Sequence, residues 1–169
     1  MDHIAAFVLD HLTALIVLHT ALSLVAIVLG IFAVARLFNP VSVRRAWASG
    51  FVLTALLATL TGFPFFPVFG ATPAFIVGLV ALAILAALIW SYRRVHDGRL
   101  YRWICAGSIV ASLYLLVFVL IVQAFQKIGF LNRFAPTGSE PPFAVVQAVA
   151  LVLFLALGTI AARRYQPQR

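Results

Sequence analysis

Long stretches of this chain carry no charged side chain. None lies between Asp10 and Arg36, between Arg45 and Arg93, between Arg102 and Lys127, or between Glu140 and Arg163. Of the 169 residues, 64% are hydrophobic and 9% are charged. A soluble domain is nearer about half apolar and about a quarter charged. One core of this size leaves much of a chain exposed, so water could not tolerate the remaining apolar surface. The runs, and a mean hydropathy of +1.13, place the chain in a lipid bilayer.

A span needs roughly 20 apolar residues at the helical rise. Five segments qualify: about Leu12 to Leu37, Trp47 to Phe63, Pro73 to Tyr92, Trp103 to Gln126 and Pro142 to Ala162. The expectation is an all-α integral membrane bundle of five transmembrane helices forming one domain over residues 1–169. Asn39-Pro40 breaks the first helix, because proline lacks an N–H and restricts its predecessor. Pro64, Pro67, Gly70 and Pro73 turn the chain between the second and third spans, and His96-Asp97-Gly98 between the third and fourth. The longest loop, Ile128 to Pro141, holds Gly129, Pro136 and Gly138, and Pro142 suits the first turn of the fifth helix. Asp2 stands where a secretory signal would carry basic residues, so the first apolar segment is expected to remain in the mature protein.

Charge sets the expected orientation. Arg36, Arg44, Arg45, Arg93, Arg94, Arg99, Arg102, Arg163, Arg164 and Arg169 fall on one side; Lys127 and Arg133 complete the 12 Lys and Arg on the other. The positive-inside rule makes the first side cytoplasmic, with the N-terminus outside and the C-terminus inside. Trp47, Trp90, Trp103, Tyr92, Tyr101 and Tyr165 sit at that boundary, as an interfacial aromatic belt does. The opposite boundary is rich in phenylalanine: Phe63, Phe65, Phe66, Phe69, Phe125, Phe130, Phe134 and Phe143. The net charge of +8 is therefore explained by membrane orientation and not by nucleic acid. A single cysteine, Cys105, excludes an internal disulfide or a two-cysteine redox relay.

Small residues four apart allow close helix approach: Ala26/Gly30, Ala83/Ala87, Gly107/Ala111 and Gly158/Ala162. The third span is apolar from Ala74 to Trp90, while the others carry thin polar stripes. His19, Ser23, Ala26 and Gly30 share one face of the first helix, and Thr54, Ala58 and Thr61 one face of the second. Ser108, Ser112, Gln123 and Lys127 fall on one side of the fourth. Topology then sets His19, Thr61, Gln123 and Gln147 at one level beneath a mouth formed by Lys127, Arg133 and Glu140. Two readings stand. The groups line an outward-opening pocket for a small molecule or lipid, or they bond one another across helices at roughly 1 kcal/mol each. Glu140 precedes a helix N-terminus, where the dipole favours an acid, or it pairs with Lys127 or Arg133.

A histidine in a span can also shuttle protons or hold a metal or haem. His96 lies on the cytoplasmic side, and His3 and His11 at or beyond the outer boundary. His11 and His19 are about 12 Å apart along a helix and so cannot share an iron. Asp2-His3 and Asp10-His11 form no compact chelate, and no phosphate loop, nucleophile elbow or paired carboxylate occurs. No cofactor, metal or catalytic activity is expected.

Leu18-His19, Thr61-Gly62-Phe63, Val122-Gln123-Ala124-Phe125-Gln126-Lys127 and Ala135-Pro136-Thr137-Gly138-Ser139-Glu140-Pro141-Pro142-Phe143, taken together, resemble a family of small bacterial multi-pass inner-membrane proteins. The resemblance spans about Leu18 to the fifth helix. It implies a bacterial inner-membrane location and carries over no catalytic residues. The leading functional expectation is binding or transport of a small molecule or lipid through the outer polar pocket. The alternative is an assembly subunit, as a homo-oligomer or with another membrane protein, and a third is a haem- or quinone-binding redox protein using His19.

The orientation is directly testable. Alkaline phosphatase fused after Phe69 is expected to be active and after Gly98 inactive; the opposite pair of activities overturns the assignment.

Overall fold

The structure, a computed structural model, describes residues 10–39, 45–63 and 73–166. Asp2-His3, Pro40, Arg44, the turn residues Pro64, Pro67 and Gly70 with Phe65, Phe66 and Phe69, and Arg169 lie outside the described residues. The described chain forms α1 (Leu12–Phe38), α2 (Arg45–Gly62), α3 (Pro73–Arg93), α4 (Arg99–Lys127), the single-turn α5 (Gly129–Asn132) and α6 (Pro141–Arg164). No strand occurs among the described residues. Helices α1, α3, α4 and α6 are long and apolar enough to cross a membrane, while α2 is a shorter apolar helix.

The ends follow from local chemistry. Helix α4 starts at Arg99, a full turn before the apolar run does, because Gly98 takes the N-cap position immediately after the His96-Asp97 turn. Hydropathy marks what lipid covers, whereas the cap marks where helical hydrogen bonding begins. Both prolines of the Pro141-Pro142 pair occupy the first positions of α6, where a missing N–H leaves nothing unbonded. The loop before α6 reverses at Gly138, whose φ of 74° is open to glycine and strained for most other residues.

Helix α4 is the central element and touches α1, α3 and α6; α2 packs on α1 and reaches α3. The core lies mainly in the arginine-bearing half. Buried positions on α1 run from Ala26 to Leu37, on α3 from Leu85 to Ser91, and on α4 from Cys105 to Leu113 with Phe125 beyond. Towards the Lys127 end the helices bury little: Ala58 on α2, Phe125 on α4 and Gln147 on α6. Phe125 is held there by an edge-on contact with Phe143 at 5.4 Å.

The small pairs divide into two kinds. Ala26 and Gly30 are buried where α1 meets both α2 and α4, and a Cβ on Gly30 would come within 2.8 Å of Leu113 Cδ1 and 2.9 Å of Phe51 Cε2. Gly158 lies against Val110 of α4. Ala83/Ala87 and Gly107/Ala111, in contrast, face one another across an open groove between α3 and α4.

Gly30→Leu is therefore expected to lower the unfolding free energy in detergent by about 1–3 kcal/mol through overpacking. Gly107→Ala, whose added Cβ meets nothing within 4 Å, is expected to leave the Tm unchanged or slightly raised. Equal losses in the two variants would refute this account of the seam.

Candidate polar site at the Lys127 end

His19 is half-buried on α1 and turns toward α2. Its Nδ1 lies 2.9 Å from the Ala58 carbonyl and 3.3 Å from Thr61 Oγ1. A carbonyl only accepts, so Nδ1 carries the proton and donates across the helix pair. Thr61 Oγ1 is within reach of the Leu57 and Ala58 carbonyls, each at 2.9 Å, so its hydroxyl donates within α2 and its lone pair faces the imidazole. Gly62 makes the approach feasible, since a Cβ there would stand 3.3 Å from His19 Cε1. The Thr61-Gly62 dipeptide thus serves as a seat for the ring.

The other hydroxyl groups of the stripes largely bond their own helices. Ser23 donates to the His19 carbonyl at 2.8 Å, Thr54 to Gly50 at 2.8 Å and Thr59 to Ala55 at 2.8 Å. Short polar side chains can satisfy themselves this way without a partner helix. Gln147 cannot: its Nε2 crosses from α6 to the Phe118 carbonyl on α4 at 3.2 Å. Among the described residues its Oε1 is buried without a hydrogen-bond partner, as is Ser112 Oγ.

Gln123 and Lys127 are exposed at the end of α4, and Arg133 is exposed in the following loop. Glu140 pairs with neither cation and makes no side-chain cap on α6. It folds back instead: Oε1 accepts from the Thr137 amide at 3.0 Å and hydroxyl at 2.9 Å, and Oε2 from the Ser139 amide at 3.1 Å. Desolvation, the largest single influence, pushes the carboxyl up. The donors from Thr137, Glu140 and Ser139 together outweigh it and hold the group below the ordinary glutamate range. Asn132 closes the other end of the loop by donating to the Phe125 carbonyl at 3.2 Å. The Thr137-x-x-Glu140 spacing is that of a capping box and was a legible signal for this local ring.

The structure thus joins His19 with Thr61, and Gln147 with α4, through two separate helix pairs. Gln123, Lys127 and Glu140 enter neither contact. Among the described residues, no three His, Cys, Asp or Glu side chains gather as a metal-binding set.

Two measurements check this geometry. His19→Leu is expected to cost about 0.6–1 kcal/mol of stability in detergent, the worth of one interhelical bond, and His19→Gln less because it keeps a donor. A larger loss for glutamine than for leucine would contradict the bond to Ala58. Because the folded Glu140 value is lowered, the loop's bond set is intact above the ordinary glutamate range and is lost as pH falls through the folded value. The Thr137 and Ser139 amide shifts are expected to titrate together with a midpoint below that of a free glutamate.

Comparison with protein-family models, curated proteins and solved structures gave no match to this chain.

Proposed function

We propose that the chain is a five-span protein of the bacterial inner membrane, with its N-terminus outside and its C-terminus cytoplasmic. It binds a small molecule or lipid at its outer polar face and catalyses no reaction. Helix α2, with 18 residues, reaches about 27 Å against a hydrocarbon core of about 30 Å. Bilayers absorb a mismatch of that size by local thinning, so α2 serves as the second span. The arginine asymmetry supports the orientation.

Gln147 carries the binding reading. Its Oε1 is a buried acceptor with no donor among the described residues, an arrangement that costs about 1–3 kcal/mol when nothing fills it. A bound hydroxyl or amine beside Oε1 supplies the donor that it lacks among the described residues. Full-length protein purified from native membranes is expected to release a molecule on extraction that Gln147→Leu, equally stable, does not hold. Identical extracts from the two proteins reject the reading.

An assembly subunit is the second reading, favoured by the α4–α6 loop. Phe130 and Phe134 are 68% and 52% exposed and meet edge-on at 5.3 Å. Under that reading a stoichiometric membrane-protein partner copurifies and is lost on Phe130→Ser/Phe134→Ser, with Gln147→Leu having no effect.

A further inference from the structure

At the opposite end of the bundle, the α3–α4 hairpin combines an apolar groove with a cationic stop. The groove, about 480 Å³, runs between Val80, Ala83 and Ala87 on α3 and Ile104, Gly107 and Ala111 on α4. Small residues on both walls keep it open. Ser108 also lines it; that side chain is only 8% exposed, and its hydroxyl has no hydrogen-bond partner among the described residues.

The groove ends at an aromatic pair. Trp90, one turn beyond Ala87, meets Tyr101, one turn before Ile104, with ring centroids 5.3 Å apart. The Arg94 guanidinium lies over both rings, 5.0 Å from Trp90 and 6.0 Å from Tyr101. Rings hold the flat face of a guanidinium while its N–H edge stays available to an anion. Arg94 is exposed and forms no ion pair among the described residues. Arg93, Arg99 and Arg102 add like charge on the same turn, against Asp97 alone.

We propose that this hairpin seats one anionic glycerophospholipid, with an acyl chain between α3 and α4 and the headgroup phosphate on the Arg94 edge. Each part matches a part of the lipid. Apolar walls take the chain, the Ser108 hydroxyl offers a donor to an ester carbonyl, and Trp90 and Tyr101 occupy the depth at which amphipathic rings settle. A free phosphate gains nothing from the groove. A second copy of the chain in the same orientation would bring its own arginines against these, which opposes dimerisation here. The site is separate from the outer-face site and does not rest on it.

Native mass spectrometry of the full-length protein, equilibrated with equal phosphatidylglycerol and phosphatidylcholine, tests the assignment. Phosphatidylglycerol is expected to be retained preferentially, and Arg94→Gln to cut that preference about five-fold, the effect of one arginine at an anionic surface. Ala111→Leu, which fills the groove, is expected to reduce retention of both lipids. Arg163→Gln, an exposed arginine at the same end on α6, leaves retention unchanged, and excess inorganic phosphate displaces no lipid. Equal retention of the two lipids, an unaltered preference in Arg94→Gln, displacement by phosphate, or a dimer released by Ala111→Leu would each overturn the proposal. Arg94→Gln decides the matter even if Ala111→Leu fails to fold.

Discussion

Where α1 crosses α2 and α4, Gly30 lets Phe51 and Leu113 close to distances that no larger residue would permit. Lipid tails are as apolar as leucine side chains, so helices in a membrane are not driven together by exclusion of water. Close approach and the dispersion contacts it creates must supply the attraction instead. The buried cluster follows this rule: Ala26, Ala33, Ala55, Ala106, Ala161 and Ala162 mark the tight contacts, with Phe51, Leu88 and Leu113 filling between them. Everything else in the bundle is positioned relative to that seam. Helix α4, holding its largest share, becomes the axis on which the other helices hang.

The polar residues obey a related constraint. In hydrocarbon every donor needs an acceptor, but the nearest acceptor is often one turn back on the same helix. Serine and threonine in α1 and α2 use that solution, so their stripes do not by themselves indicate a pocket. Histidine and glutamine are too long for it. His19 and Gln147 cross to neighbouring helices, and of the two Gln147 leaves a buried oxygen without a bond among the described residues.

Helix positions were legible because charge and proline interrupt long apolar runs, and those interruptions coincide with chemistry that ends helices. The turn at Gly98 and the Pro141-Pro142 start are examples. The location of the core was not legible. When lipid and protein interior are equally apolar, a helix carries no contrast between its two faces, so nothing in α6 distinguishes exposed Val152 from partly buried Phe154. The candidate site shows the same limit. Gln123 and Gln147 are the same residue type near the same ends of adjacent helices, yet one is exposed and the other buried. Rotation about the helix axis decides between them, and packing sets that rotation. Trp90 and Tyr101 were readable as belt aromatics, while their convergence beneath Arg94 depends on the hairpin bringing two helices into register.

The contact at Gly30 also bears on the order in which the chain assembles. The α1–α2, α3–α4 and α4–α6 pairings each join helices adjacent along the chain or separated only by the short α5. They can form as each helix enters the bilayer, with little loop entropy to overcome. Gly30 and Leu113, in contrast, lie far apart in sequence and belong to different hairpins. The side of the Gly30–Phe51 contact that receives Leu113 therefore stays uncovered until α4 has been synthesised and delivered. The close fit that organises the finished bundle is thus completed only when a helix from the second half of the chain arrives, and it couples the two halves before the final helix docks.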